Sequence, residues 1–213
     1  MNDTLHITNR DREILQALVQ KVRLFSQRQI ADHWFNGELV NARRRLGRLT
    51  QRDLIARLTV QARPAPAIEV PLVTWRPGQP DPEFGQVAYR CQQRWRHRPT
   101  RPCTAWIATE RAAQLFGGVR RGELKNALQA THDLCVAGVW LRLREVSPQW
   151  AMAWRGEDLL AHTRRGEKLP DAFIVDQAEQ VLWVIEFAGG YDAERVEAFH
   201  RDCAARSLPY QLW

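Results

Sequence analysis

Residues 26–52, SQRQIADHWFNGELVNARRRLGRLTQR, decide how the first part of this chain is expected to fold. Ser26 and Gln29 have the spacing of a helix N-terminal capping pair, and Asn36-Gly37 is a turn signal. A short helix before this turn and another helix over about 38–52 are therefore predicted. The pattern indicates two helices joined by a tight turn.

The predicted helix over 38–52 has two chemically different faces. At about 100° per residue, one stripe collects the apolar side chains of Leu39, Ala42, Leu46 and Leu49. The opposite side collects Asn41, Arg44, Arg48 and Gln51, with Arg45 nearby. Forked guanidinium groups and amides are the donors that read base edges in the major groove, which admits one helix. A helix-turn-helix is predicted, although a solvated basic face is the alternative.

The flanking segments complete a winged helix-turn-helix. Thr8 and Asp11 form a second capping pair, which begins a first helix over about 9–22. The alternating residues 53–60 are expected to pair with residues 68–75 across a proline-containing tip, forming a wing. The predicted DNA contacts are Gln27, Arg28, Asn41, Arg43, Arg44, Arg45, Arg48, Gln51, Arg57 and Arg63.

A second basic run follows the predicted wing. It consists of Arg90, Arg94, Arg96, Arg98 and Arg101, with Trp95 and His97 between them. Such a run can follow a phosphate backbone, or it can be a linker surface around a buried Trp95. Helices are predicted over 109–116 and 123–136, with Trp106, Leu115 and Phe116 as core residues.

The formal net charge of +7 is unevenly distributed along the chain. Residues 1–125 hold 22 Lys and Arg against 11 Asp and Glu, whereas residues 126–213 hold 9 against 13. A basic front half favours a polyanion partner, and an acidic back half suggests a protein partner or a homodimer contact. The chain lacks an apolar run of membrane-spanning length and a signal-peptide pattern, so a cytoplasmic protein without membrane contact is expected.

The back half contains a predicted hairpin with two acidic residues. Its strands are the apolar runs 169–175 and 181–187, and the polar residues 176–180 form the turn. A hairpin symmetric about residues 178 and 179 places Asp171 directly opposite Glu186. Paired carboxylates repel each other unless a proton or a cation lies between them, and they are the minimum for a Mg²⁺ site.

His200 and Cys203 are a further pair, on a helix predicted from Asp192 to about Arg206. A nucleophilic thiol needs a histidine that a third group orients, and no third partner is visible in the sequence. A structural role is therefore the favoured interpretation of this pair.

The hairpin resembles the PD-(D/E)xK nuclease pattern in its Pro170-Asp171 and Ile185-Glu186. The resemblance implies that Asp171 and Glu186 hold a metal ion, and that a lysine two residues after the glutamate helps to activate water. This sequence has Ala188 at the lysine position. Without that ammonium group, a fold retained without catalysis is expected.

The whole chain resembles the replication-relaxation family of plasmids and integrative elements. The resembling stretches are residues 11–15, 44–49, 131–134, 154–157, 170–171 and 208–213. The family couples an N-terminal winged helix to a nuclease-like domain, so the resemblance implies that Glu157 is the upstream acid of the site.

We therefore expect an α+β protein with three consecutive segments. These are a winged helix-turn-helix domain over 1–78, a basic connecting segment over 79–125, and an α/β PD-(D/E)xK nuclease-like domain over 126–213.

The expected function is duplex DNA binding by an accessory or regulatory protein of a plasmid or mobile element. The degenerate domain would supply protein or DNA contacts, and no cofactor is expected. One alternative is a Mg²⁺-dependent endonuclease that uses Glu157, Asp171 and Glu186. The other is a protein-binding adaptor.

Overall fold

Two β-sheets organise the described part of the chain, and each lies in a separate unit. A computed structural model describes residues 6–118, 127–157 and 169–213. Unit 1 comprises Met1–Ala62 and Arg101–Ala137, and unit 2 comprises Arg63–Thr100 and Gly138–Trp213. The mixture of helices and sheets confirms the α+β class.

Helices and short strands follow one another throughout the described ranges. In chain order they are α1 (Asn9–Gln16), a π-helical turn (Ala17–Lys21), β1 (Leu24–Ser26), α2 (Gln27–Trp34), α3 (Leu39–Gln51), β2 (Ile55–Ala62), β3 (Val73–Trp75), α4 (Phe84–Gln93), β4 (Arg101–Ala108), α5 (Glu110–Phe116), α6 (Ala127–Val146), α7 (Pro148–Ala153), β5 (Trp154–Gly156), β6 (Ala172–Val175), β7 (Val181–Glu186), α8 (Ala193–Ala205) and β8 (Tyr210–Leu212).

Both predicted capping pairs begin their helices as expected. The hydroxyl of Thr8 accepts from the backbone N–H of Asp11, and the Asp11 carboxylate accepts from the backbone N–H of Thr8. Ser26 and Gln29 make the same reciprocal pair at α2. The turn between α2 and α3 uses the left-handed region at Asn36 and Gly37, with φ of 51° and 82°. These local signals are reliable because each is satisfied within a few residues.

The strand after α3 pairs with a different segment from the one predicted. β2 runs antiparallel to β4, from Ile55 opposite Ala108 to Ala62 opposite Arg101. β4 also pairs with β1, which gives a three-stranded sheet of order β1-β4-β2. The expected hairpin of residues 53–60 with 68–75 is therefore wrong.

The prolines of the intervening segment explain this difference. Pro64, Pro66 and Pro71 have no N–H for a ladder and interrupt a regular hairpin. Val70 is 69% exposed, whereas Trp75 is buried in the core cluster of unit 2 rather than against β2. Residues 63–100 belong to unit 2, and β3 pairs with β8 in the second sheet.

Unit 1 buries the apolar faces of its helices. Ile14, Leu18, Ile30, Leu46 and Leu49 are fully buried. Trp106 is buried as expected, but Leu115 is 63% exposed, so its predicted place in the core is wrong.

Unit 2 is built on a five-stranded sheet of order β3-β8-β7-β6-β5. β5, β6 and β7 form an antiparallel meander, and α8 then connects β7 to the parallel strand β8. The side chains of Phe173, Val184, Val196, Phe199 and Tyr210 pack into one core cluster. The sheet places the beginning of β6 beside the end of β7, where the connection to α8 starts.

The two units are not the consecutive segments that the sequence suggested. Each unit consists of two separate stretches of the chain. The last boundary between the units, at residues 137 and 138, falls within α6. The chain leaves unit 1 after β2 and returns at β4, because the partner of β2 comes only after residues 63–100. The segment 79–125 is therefore divided between the units.

Gly118 is required by a close approach in unit 1. A methyl group at Gly118 would lie 2.5 Å from the carbonyl oxygen of Val19, in the π-helical turn. We expect Gly118→Ala to lower the free energy of unfolding by about 1–3 kcal/mol, because the backbone must move to admit the methyl group. Urea denaturation measures this change.

Gly47→Ala is the matched control for Gly118→Ala. A methyl group at Gly47 meets no described atom within 4 Å, and Gly47 lies inside α3. The substitution should therefore stabilise the protein by up to about 1 kcal/mol. A neutral Gly118→Ala would contradict the packing described for the π-helical turn.

Candidate nucleic-acid interface and carboxylate pair

α3 separates an apolar face from a polar face, as its pattern predicted. Ala42, Leu46 and Leu49 are fully buried, whereas Leu39 is 39% exposed. The exposed polar residues are Asn41, Arg43, Arg44, Arg48, Thr50 and Gln51. The helix is therefore fixed by one side and presents amide and guanidinium groups on the other.

Arg45 differs from the other arginines of α3, because its guanidinium is used inside the fold. Its Nε donates to Asp11 Oδ1 at 2.9 Å, and its Nη2 donates to Asp11 Oδ2 and to the carbonyl oxygen of His6. The Asp11 side chain is fully buried. Arg45 was predicted to contact DNA, but in the structure it ties α3 to the beginning of α1.

Asp11 stays ionised within this arrangement. Burial raises the pKa of its carboxyl group, but hydrogen bonds from Arg45 and Thr8 outweigh burial and bring the pKa below its usual 3.8. Since the folded pKa is the lower one, the ion pair stabilises the protein above the unfolded pKa. This contribution is lost as the pH falls through the folded pKa.

The remaining predicted contacts lie in several places. Arg28 is exposed on α2 and pairs with Asp32 at 2.9 Å, and Gln27 beside it is half-buried. Arg57 is exposed on β2. Arg63 belongs to unit 2, where its guanidinium lies 5.9 Å from the centre of the Trp95 ring.

A groove beside α3 was not foreseen from the sequence. It has a volume of about 460 Å³, and its walls come from the beginning of α1, the end of α2 and α3. Its lining includes Arg10, Phe35, Glu38, Asn41, Arg44 and Arg48. Arg10 precedes α3 by some thirty residues, so no local pattern connects the two.

Charge is concentrated in unit 1. Unit 1 holds 16 Lys and Arg against 9 Asp and Glu, whereas unit 2 holds 15 of each. The whole net charge of +7 therefore belongs to unit 1. The acidic surplus of residues 126–213 disappears within unit 2, because residues 63–100 are basic.

Three residues of the second basic run, Arg94, Trp95 and Arg98, make contacts within unit 2, whereas Arg101 lies on β4 in unit 1. Arg94 Nη2 donates to the carbonyl oxygen of Trp213 at 2.8 Å, and its guanidinium lies 5.1 Å from the centre of the Phe187 ring. Trp95 Nε1 donates to the carbonyl oxygen of Gly189 at 2.8 Å. Arg98 Nη1 donates to backbone oxygens of residues 64 and 65. These contacts favour the structural interpretation of the run.

The two acidic residues of the hairpin lie together as predicted. Ala172 opposes Ile185, so the same register places Asp171 opposite Glu186, with one irregularity near Val175. The backbone N–H of Asp171 donates to Glu186 Oε2 at 3.1 Å, and the N–H of Phe187 donates to Asp171 Oδ2 at 2.7 Å. Backbone donors thus help to stabilise a carboxylate pair that would otherwise be repulsive.

Tyr191 is a part of this site that sequence reasoning missed. Its hydroxyl donates to Glu186 Oε1, and Arg195 lies 4.7 Å from the centre of its ring. Burial and the neighbouring Glu186 raise the pKa of Tyr191 above its usual value, so its hydroxyl remains a donor. The only signal was its position five residues after Glu186, which by itself indicates nothing.

Ala188 and Glu157 separate this site from the nuclease pattern. Ala188 is fully buried within the core cluster of unit 2, so a lysine at this position would have to bury its ammonium group. Glu157 is exposed, and its backbone N–H donates to the carbonyl oxygen of Asp171 at 3.0 Å. Within the described ranges, no three His, Cys, Asp or Glu side chains are grouped to hold a metal ion.

His200 and Cys203 do not form a nucleophilic pair. The two ring nitrogens of His200, which is 2% exposed, lie 3.2 Å from Tyr210 Oη and 3.1 Å from Asp81 Oδ1. Burial raises the pKa of Cys203 to about 12, so the thiol remains protonated at neutral pH. Asp81 is a third group beside His200 that the sequence did not reveal, but the contacts of His200 and the protonated thiol favour the structural interpretation of this pair.

Comparisons with protein families, curated proteins and solved structures find no match for this chain. Each helix in the described part of the chain is too short or too polar to cross a bilayer.

The Asp11–Arg45 pair leads to a stability prediction. Arg45→Met leaves a buried carboxylate without its cation, so we expect a loss of about 3–5 kcal/mol in the free energy of unfolding at neutral pH. Because protonation of Asp11 removes that buried charge, the deficit should shrink at acidic pH. Denaturation series at several pH values measure both effects.

Arg44→Met is the control, since Arg44 is an exposed neighbour on the same helix. Its effect should stay within about 0.5 kcal/mol at every pH. Equal losses in the two variants would show that the Asp11–Arg45 pair does not stabilise the fold.

Proposed function

We propose that unit 1 is a winged helix-turn-helix module that binds duplex DNA through α3. The observation that carries the proposal is the division of α3, whose buried stripe is tied to the fold while Asn41, Arg44 and Arg48 remain exposed. Within the described part of the chain, the side chains of these three residues make no ion pair or hydrogen bond. Their donors are therefore available to a nucleic acid.

The order of elements in unit 1 supports this proposal. α2, a tight turn and α3 follow one another, and β2 and β4 form the paired strands that a wing requires after the third helix. The connection between these strands is residues 63–100 rather than a short loop. We therefore assign the wing to the paired strands β2 and β4 alone. Arg57 on β2 is the candidate phosphate contact of this wing.

The charge of unit 1 supports the same partner. Unit 1, which carries α3, has a surplus of seven cations. Cationic side chains release counterions from DNA phosphates when they bind, and this release supplies a large part of the affinity for DNA. Unit 2 is balanced, so its charge no longer argues for a protein partner or a homodimer contact. A protein-binding adaptor whose α3 does not touch DNA remains the alternative proposal.

We further propose that the protein is an accessory or regulatory factor of a plasmid or mobile element. This assignment rests on the resemblance to the replication-relaxation family described above. Unit 2 would then be a nuclease-like domain without catalysis, used for protein or DNA contacts. Its meander, with an aspartate directly before one strand and a glutamate at the end of the adjacent strand, is what supports that description.

A Mg²⁺-dependent nuclease is the second candidate, and the opposed Asp171 and Glu186 favour it. The groups that surround these two carboxylates argue against a nuclease. Glu186 accepts from Tyr191 and from the backbone of Asp171, and the lysine position is occupied by buried Ala188. The proposal is therefore binding without cleavage.

The DNA proposal predicts a steep salt dependence that involves α3. Fluorescence anisotropy with a labelled duplex should show affinity falling as salt rises from about 50 to 200 mM. Arg44→Gln with Arg48→Gln should weaken binding about tenfold or more and lower the log–log salt slope by roughly 1–2, since up to two phosphate contacts are lost.

A charge-matched control separates the role of α3 from net charge. Arg111→Gln with Arg201→Gln removes the same charge from exposed positions outside α3. This double variant should bind nearly as the unchanged protein does. Absence of duplex binding by the unchanged protein at low salt would refute the proposal.

The nuclease alternative is tested on supercoiled plasmid. We expect no nicking by the unchanged protein with Mg²⁺ or Mn²⁺, because an ammonium group near the attacking water is missing. Gel electrophoresis over time measures the outcome. Metal-dependent nicking that disappears in Asp171→Ala would show that unit 2 is an enzyme.

A further inference from the structure

We propose that the groove between the beginning of α1, the end of α2 and α3 binds a phosphate group. Two sources have this chemistry: the backbone of duplex DNA and a free phosphorylated ligand. With duplex DNA as the source, the inference rests on the proposed function and adds a phosphate clamp beside the residues that face the bases.

The groove collects cations that have no acidic partner. Arg10, Arg44 and Arg48 line it, and none of them makes an ion pair within the described residues. Arg45 also reaches the groove, but Asp11 already balances its charge. The groove therefore holds three guanidinium groups that make no ion pair within the described residues.

One of these cations is held in place before any ligand arrives. The Arg10 guanidinium lies 4.0 Å from the centre of the Phe35 ring, and its Nη1 donates to the carbonyl oxygen of Trp34 at 3.4 Å. A guanidinium fixed in this way loses little side-chain entropy when it binds an anion. The Asp11–Arg45 ion pair, in which the Asp11 side chain is buried, likewise holds α3 in place before a ligand binds.

The aromatic residues of the groove argue for a phosphate and against a base. Phe35 is 6% exposed and Trp34 is 8% exposed, and Arg10 already covers one face of the Phe35 ring. A base needs an open aromatic face for stacking, and these rings are almost entirely buried. The groove instead offers forked N–H donors and the Asn41 amide, which match phosphate oxygens.

The position of the groove suggests a division of roles along α3. Asn41, Arg44, Arg45 and Arg48 line the groove, and on the helical wheel Arg44 lies at the edge of this set, whereas Gln51 lies farther round the exposed side. The groove residues would position the helix on one backbone phosphate, while the exposed side faces the bases. Phosphate contacts of this kind orient a protein without reading sequence.

Glu38 provides a test with the opposite sign. Apart from Asp11, which is paired with Arg45, Glu38 is the one acidic residue near the cations of the described groove. Glu38 is exposed at the rim of the groove. Its carboxylate repels a bound phosphate, so Glu38→Gln should strengthen binding. A general loss of folding could not produce this increase.

The experiment measures duplex affinity by fluorescence anisotropy across a range of salt for the full chain. Arg48→Gln should lower the log–log salt slope by about 1. Asn41→Ala should weaken binding without changing that slope. Glu38→Gln should bind more tightly. Arg12→Gln is the matched control, since Arg12 is exposed on α1 and lies outside the groove.

Inorganic phosphate distinguishes the two sources. At constant ionic strength, with chloride as the reference, phosphate should compete with the duplex for the unchanged protein but not for Arg48→Gln. If the unchanged protein ignores duplex DNA but phosphate raises its Tm, and Arg48→Gln removes that shift, the groove serves a free phosphorylated ligand. The proposed function would then fail while the groove inference stands.

Two results would overturn the groove inference. The first is duplex binding in which Arg48→Gln and Arg12→Gln change the salt slope equally, because net charge alone would then explain the effect. The second is a phosphate response, in competition or in Tm, that is absent or independent of Arg48.

Discussion

The buried contact between Asp11 and Arg45 is the constraint on which the arrangement of unit 1 depends. Asp11 caps α1 through Thr8 and at the same time binds the guanidinium that projects from the middle of α3. One carboxylate thus sets the beginning of the first helix and the rotation of the third. Because it is fully buried, losing its cation costs far more than losing a surface ion pair. The polar face of α3 and the neighbouring groove both depend on this contact.

Sequence patterns predicted the local features of the fold and failed where partners are distant along the chain. The Thr8–Asp11 and Ser26–Gln29 caps were predictable, because each is completed within three residues. The alternation of residues 53–60 predicted a strand but held no information about its partner. Pairing with residues 101–108 is decided by packing over a long sequence separation, which a pattern of period two does not encode.

The same limit applies to the carboxylate site. The register that opposes Asp171 and Glu186 followed from a short polar turn, and the structure confirms it from Ala172 to Ile174, with a shift at Val175 next to the turn. Tyr191 and the burial of Ala188 did not follow, because both depend on how α8 and β8 pack against β7. Asp171 and Glu186 were therefore found together, while the groups that decide their chemistry came from tertiary structure.

The position of β4 has a consequence for how this chain can be divided. β4 is the central strand of the first sheet, yet it follows β2 only after a segment that belongs to the other unit. A fragment that stops at residue 62 or 78 would lack the strand between β1 and β2 and would leave two ladders unpaired. Unit 2 in turn needs residues 63–100 as well as 138–213. No single cut therefore divides the chain into two fragments that each hold one complete unit.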